Sequence, residues 1–166
     1  MSRPFLPLLL GLALVLPALA ASNTPAEAEA LLKDRDPRAA SVVAALAKAN
    51  PGERDVRILQ IRVLLQQRDK SEQALDLAEE LADDEPDYAP AHLWLGNAYG
   101  NRIGQVGTFG QATMAPKLRR AFERALELDP GLHDARSALV EYYLQAPAIV
   151  GGSVAKAKAQ MPAQAL

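Results

Sequence analysis

Three prolines set the frame of this chain. Pro51, Pro86 and Pro130 each follow a polar residue at the end of a run rich in Ala, Leu and Glu, and a proline cannot continue a helix that runs into it. Pro51 and Pro86 stand 35 residues apart, and Pro86 and Pro130 stand 44 apart. A unit of that length holds two helices and a turn. Between the last two prolines, Leu95, Gly96 and Tyr99 form one tightly spaced helical stripe, and Phe122, Ala125 and Leu126 form a matching one. Small residues stand where the two backbones must approach. Such a hairpin leaves apolar faces that need neighbours on both sides.

Composition agrees with helices. Ala and Leu dominate the 166 residues while aromatics are only 5%, which favours packing through aliphatic and small side chains over a sheet sandwich. The formal charge of −2 gives no reason to expect nucleic acid or a strongly anionic surface as the main partner. There is no cysteine, so disulfides, thiol catalysis and thiolate metal sites are excluded.

Leu95, Gly96, Tyr99, Phe122, Ala125 and Pro130 together resemble the tetratricopeptide repeat (TPR), whose period is about 34 residues. The resemblance implies an all-α fold, a right-handed superhelical solenoid of TPR-like helical hairpins. Its units would be a degenerate hairpin over 21–50, a repeat over 51–86, a repeat over 87–130 and a partial repeat over 131–166. The third unit carries an insertion of about 10 residues between its helices, set against the repeat period. In the second unit Ile61, Leu65, Ala74, Ala78, Leu81 and Pro86 fall into register, although Arg62 stands where the pattern has Gly or Ala.

The first residues read differently. A basic start at Arg3, an apolar run from Phe5 to Leu16 and the small residues Ala18 and Ala20 make the pattern of a cleavable signal peptide over 1–20, cut after Ala20. The run is shorter than the roughly 20 residues that span a bilayer. The expectation is export to the periplasm or medium of a bacterium, with no membrane span left after cleavage.

Along the remainder, Thr24 and Glu27 have capping-box spacing for a helix from Pro25 to Lys33, and a second helix is expected over Pro37 to Ala49. Glu53 to Gln67 is apolar on more than one side and must be largely buried. Ser71 is expected to cap the next helix, which runs to about Ala82. The acidic turn of Asp83, Asp84, Glu85 and Asp87 reads as solubilising. Ser153 opens a last, short helix stopped by Pro162, whose far side is expected to leave an apolar edge or a chain cut short relative to its relatives.

Candidate sites follow from this frame. The insertion over 100–116 carries Gly104, Gly107 and Gly110, but it follows a helix and lacks the Gly-Lys-Ser/Thr ending of a phosphate loop. It reads as a structured loop whose Ile103, Val106 and Phe109 tuck onto the solenoid. Arg102, Lys117, Arg119, Arg120 and Arg124 cluster around it, either as a solvated face or as a dock for an acidic segment or phosphate. Lys117, Arg119 and Arg120 would sit at a helix start, against its dipole.

The TPR resemblance further implies a concave groove lined by the first helix of each hairpin. The residues offset from the packing stripe are Leu59, Val63 and Gln66, then Leu93, Asn97 and Asn101, then Ser137, Glu141 and Gln145. Asn97 resembles the groove asparagine that holds a ligand backbone in peptide-binding members. Leu93 and Ser137 stand where the carboxylate-clamp subgroup has lysines, so recognition of a terminal carboxylate is not implied. Trp94 fits a surface anchor or a core position equally. His92 and His133 have no carboxylate-rich metal spacing around them, and no nucleophile motif is present. The expected function is a non-catalytic protein-protein interaction module or scaffold of the cell envelope, without cofactor. The competing reading is a small-ligand or anion-binding protein that uses the glycines and arginines.

Overall fold

The computed structural model describes residues 23–161, and among them it is all-helical, with no strand. The expected leader over 1–20 and the stop at Pro162 lie outside the described residues. The helices are α1 (Pro25–Lys33), α2 (Ala39–Ala49), α3 (Arg54–Leu65), α4 (Ser71–Asp84), α5 (Ala89–Ile103), α6 (Thr108–Leu128), α7 (His133–Gln145) and α8 (Val154–Gln160). Short 3-10 turns occupy Arg68–Lys70 and Ala148–Val150.

Local chemistry explains most boundaries. The Thr24 hydroxyl accepts the Glu27 amide at 3.1 Å, and Ser153 accepts the Lys156 amide at 3.3 Å, so each supplies a partner to an orphan donor of the first turn. Helix α2 starts two residues later than its proline suggests, because the Asp36 carboxylate takes the Arg38 amide at 2.9 Å and holds a turn there.

Two expectations are corrected. Ser71 is not a cap: it is the first residue of α4, it is buried, and its hydroxyl donates to Gln105 Oε1 at 2.9 Å. The insertion is not a loop either. Helix α5 runs through Gly100 to Ile103, and α6 begins at Thr108 and continues for 21 residues with Pro116 inside it. Only Gly104 to Gly107 is left as a turn. Lys117, Arg119 and Arg120 therefore lie mid-helix, where the dipole of the first turn no longer acts.

Each helix packs against the next in sequence, and α3 also touches α1 and α5. Leu32, Val43, Leu46, Val56 and Leu59 belong to one buried cluster, and a second runs from Ile58 through Ile61, Leu81, Phe122 and Leu139 to Ala157. Polar ties cross between odd-numbered helices. Gln66 Nε2 donates to Leu32 O at 2.9 Å, and Asn101 Nδ2 donates to Leu65 O at 3.3 Å. Arg62 pairs with Glu29 on α1 and lies 5.1 Å from the ring of Trp94 on α5. The side chain that departs from the repeat pattern thus joins three helices. These partners are separated by 34, 36 and 33 residues, close to the interval between Pro51 and Pro86.

The acidic turn after α4 is also engaged. Arg57 pairs with Asp84 at 2.7 Å and with Glu80 at 3.1 Å, and Arg124 reaches Asp87 at 3.0 Å. Tyr88 donates its hydroxyl to Asp55, and Arg54 lies 4.2 Å from its ring. Burial, reinforced by the Asp55 carboxylate, pushes the Tyr88 phenol up to about 12 from an ordinary value near 10. The folded chain therefore keeps a proton that the unfolded chain surrenders first, so stability is lost as pH rises from about 10 through about 12. Urea midpoints measured across that window are expected to fall steeply, and Tyr88→Phe is expected to flatten part of the fall. An unchanged slope in the variant would assign the alkaline loss to other groups, of which Tyr99, held high by burial and Glu79, is the first candidate.

Candidate functional site

The stacking of odd-numbered helices changes at α5. Helices α1 and α3 touch, as do α3 and α5, but α5 and α7 do not stack in the same way. A cavity of about 810 Å³ opens at that junction. Its size falls within the roughly 300–1,000 Å³ of ordinary ligand sites.

Three helical faces converge on it. Gly96, Asn97, Gly100 and Asn101 repeat at three- and four-residue spacing on α5, and Ile103 with Gly104 of the following turn completes that side, so the wall there is glycines, two carboxamides and one aliphatic side chain. On α6 the face is Thr108, Gln111, Ala112, Ala115, Leu118 and Phe122, of which the first four come from the insertion. On α7 it is Ala138, Glu141, Tyr142 and Gln145. Pro147, Ile149 and Val150 of the following segment complete the wall, and Ile149 is 94% exposed at the rim. The floor is apolar, and among the described residues Glu141 is the only charged one in the lining.

The wall after α7 is fixed by hydrogen bonds. Tyr142 donates its hydroxyl to Val150 O, and Ser153 N donates to Tyr143 O at 2.8 Å. Tyr143 donates to Glu123 Oε1 at 2.8 Å, and Glu123 pairs with Arg119 at 2.7 Å. Burial pushes both phenols up, with Glu123 adding to the effect at Tyr143, so both remain donors at neutral pH. Gly151 has φ of +105°, a conformation that a side chain would strain, and it lets the chain turn into α8.

The nine expected groove residues separate into classes. Leu59, 2% exposed, and Leu93, 6% exposed, are core residues and form no wall. Periodicity misplaced them because α3 and α5 are covered on two sides, by even-numbered helices and by each other. Val63 is half-buried, Gln66 is occupied with Leu32, and Ser137 is exposed away from the cavity lining. Asn97, Asn101, Glu141 and Gln145 line the cavity together. Asn101 is tied to Leu65 and accepts from Gln105 Nε2 at 3.3 Å. Asn97 makes no side-chain hydrogen bond among the described residues, so its carboxamide can both donate and accept.

The basic residues form no open patch. Arg102 lies 3.6 Å from Glu72, Arg119 is held by Glu123, and Arg124 pairs with Asp87 and Glu127. Lys117 sits 5.6 Å from the ring of Tyr99, and Arg120 is exposed. Ile103 lines the cavity and Val106 packs against Gly110, but Phe109 is 85% exposed and tucks onto nothing. His92 Nε2 donates to Pro86 O at 2.9 Å. Among the described residues, no group of three His, Asp or Glu side chains has metal-binding geometry. No helix there is long and apolar enough to cross a membrane.

Of the residues expected to pack the hairpin, Gly96 and Phe122 meet directly. Tyr99 is buried and donates to Glu79, Ala125 is buried, Leu95 is half-buried and Pro130 is exposed at the end of the hairpin. Sequence reasoning missed Tyr142, Gln111 and the Pro147 to Val150 wall. The available signal was the spacing of Ala138, Glu141, Tyr142 and Gln145, which share one helical face. No model of a known protein family matches this chain, and no curated protein matches it.

Proposed function

We propose that this chain is an exported, non-catalytic TPR-like module of the bacterial envelope that binds another protein through an extended segment of that protein. Its hairpins would follow one another in a right-handed superhelix, and the segment would lie along the junction between α5 and α7. The observation that carries the reading is Asn97. A carboxamide with free donor and acceptor capacity, set on a glycine-bearing wall above an apolar floor, matches the alternating N–H and C=O of an extended backbone. The wall of small residues allows a second backbone to come close.

The anion-binding alternative draws less support, because Arg102, Arg119 and Arg124 already face carboxylates. A photo-crosslinking residue placed at Asn97 in the full chain, expressed in a bacterial host with its leader intact, is expected to yield discrete protein adducts in the envelope fraction. The same residue at Asp76, exposed on α4, is expected to yield none. Equal labelling from both positions, or adducts with lipid alone, would reject the reading.

A further inference from the structure

The pocket is asymmetric in chemistry, and the asymmetry selects among peptides. We propose that the part of the cavity built by the α6 insertion receives a large apolar side chain of the bound segment, with a neighbouring Lys or Arg of that segment paired to Glu141.

The proposal rests on the peptide-binding reading above and adds what the peptide must look like. In the register of polar ties, Gln66, Asn101 and Gln145 occupy corresponding places. The first two reach a main-chain carbonyl of the preceding odd-numbered helix, at 2.9 and 3.3 Å. Gln145 instead donates to Glu141 Oε1 at 2.8 Å, on its own helix. The junction thus lacks the tie that closes the earlier ones, and the space is lined by Ala112, Ala115 and Leu118 of the extended α6. An apolar side chain entering there is removed from water against aliphatic carbon.

Charge sets the second half of the motif. Glu141 is exposed on the rim and, among the described residues, is the lone charge in the lining, while the basic side chains around the insertion are committed to carboxylates or lie outside it. A cation beside the apolar anchor gains a partner at Glu141, and an acidic residue there meets repulsion with nothing to offset it. Ile149 at the rim, 94% exposed, gives the anchor's flank an apolar cover.

The test uses the purified full chain to select from a random linear peptide library displayed on phage. Recovered peptides are expected to share a large apolar residue with Lys or Arg beside it. A synthetic copy of the strongest, measured by fluorescence polarisation, is expected to lose about tenfold in affinity with Glu141→Lys. A similar loss is expected with Ala112→Phe, which fills the pocket from an exposed position on α6 and leaves the core untouched, as an unchanged melting temperature would verify. Asp76→Asn should change nothing.

Recovery of peptides whose affinity ignores Glu141→Lys and Ala112→Phe, or a preference for acidic peptides, would overturn this inference while leaving the peptide-binding reading intact. Recovery of no peptide, or retention on phosphatidylglycerol vesicles regardless of residue 141, would overturn both.

Discussion

Gly152→Ala is expected to detach the C-terminal helix and destabilise the fold by on the order of 3 kcal/mol, the upper end of what overpacking costs. A Cβ at residue 152 would fall 1.7 Å from Ala146 O and 3.2 Å from Pro147 C, both main-chain atoms. No rotamer change relieves such a contact. The backbone there is pinned by Gly152 N donating to Pro147 O at 3.1 Å and Gly151 N donating to Ala148 O at 3.0 Å. Something in this set of bonds must break, and the segment that breaks also carries Val150, the acceptor for Tyr142 and part of the cavity wall. Chemical denaturation would read the loss. Hydrogen exchange at the Ala157 amide, which donates to Ser153 O in α8, would show whether that helix has come away. A variant with wild-type stability and a protected Ala157 amide would contradict the close approach.

Gly96→Ala tests the hairpin at its tightest point. Helix propensity alone says that alanine inside α5 should stabilise by about 1 kcal/mol. Packing says the opposite, because the new Cβ would lie 2.4 to 2.8 Å from three ring atoms of Phe122. That ring is buried on the facing helix and cannot swing into solvent. The expected net result is a loss of about 2 kcal/mol, since the overpacking term exceeds the propensity gain. Phe122→Leu should cost stability alone, by leaving space, yet soften the effect of Gly96→Ala. The double variant is therefore expected to be more stable than the sum of the singles. Additive effects would show that the two residues do not share one contact, and a stabilised Gly96→Ala would show that propensity governs the site.

Those two glycines illustrate different degrees of legibility. Gly96 was readable as a contact because Leu95, Gly96 and Tyr99 fall at helical spacing opposite Phe122, Ala125 and Leu126. Gly152 carries no such periodic signal. Its requirement for a missing Cβ comes from Ala146, whose carbonyl folds back against it once the 3-10 turn has formed.

The candidate site divides along the same line. Asn97, Asn101, Glu141 and Gln145 were visible by their offset from the packing stripes, and they do line one cavity. Leu59 and Leu93 had the same offset and are buried, because period alone reports which residues share a face and not how many faces a neighbouring helix covers. The insertion was the larger misreading. Gly104 and Gly107 do fall in the turn, but Gly110 lies inside α6, which extends back to Thr108 along α5 despite the lower helix propensity of that glycine.

By itself the sequence determined that this chain is helical, where most helices begin and end, and that Thr24 and Ser153 cap two of them. These properties depend on neighbours within a turn or two, so they survive without knowledge of the rest. Only the tertiary structure decided that the insertion is helix, that Arg62 joins three helices, that Ser71 is a buried donor, and that the junction after α5 opens into a cavity. The last three depend on groups brought together from more than 25 residues away and the first on pairing with the neighbouring α5, and no periodicity encodes which of several compatible faces will meet.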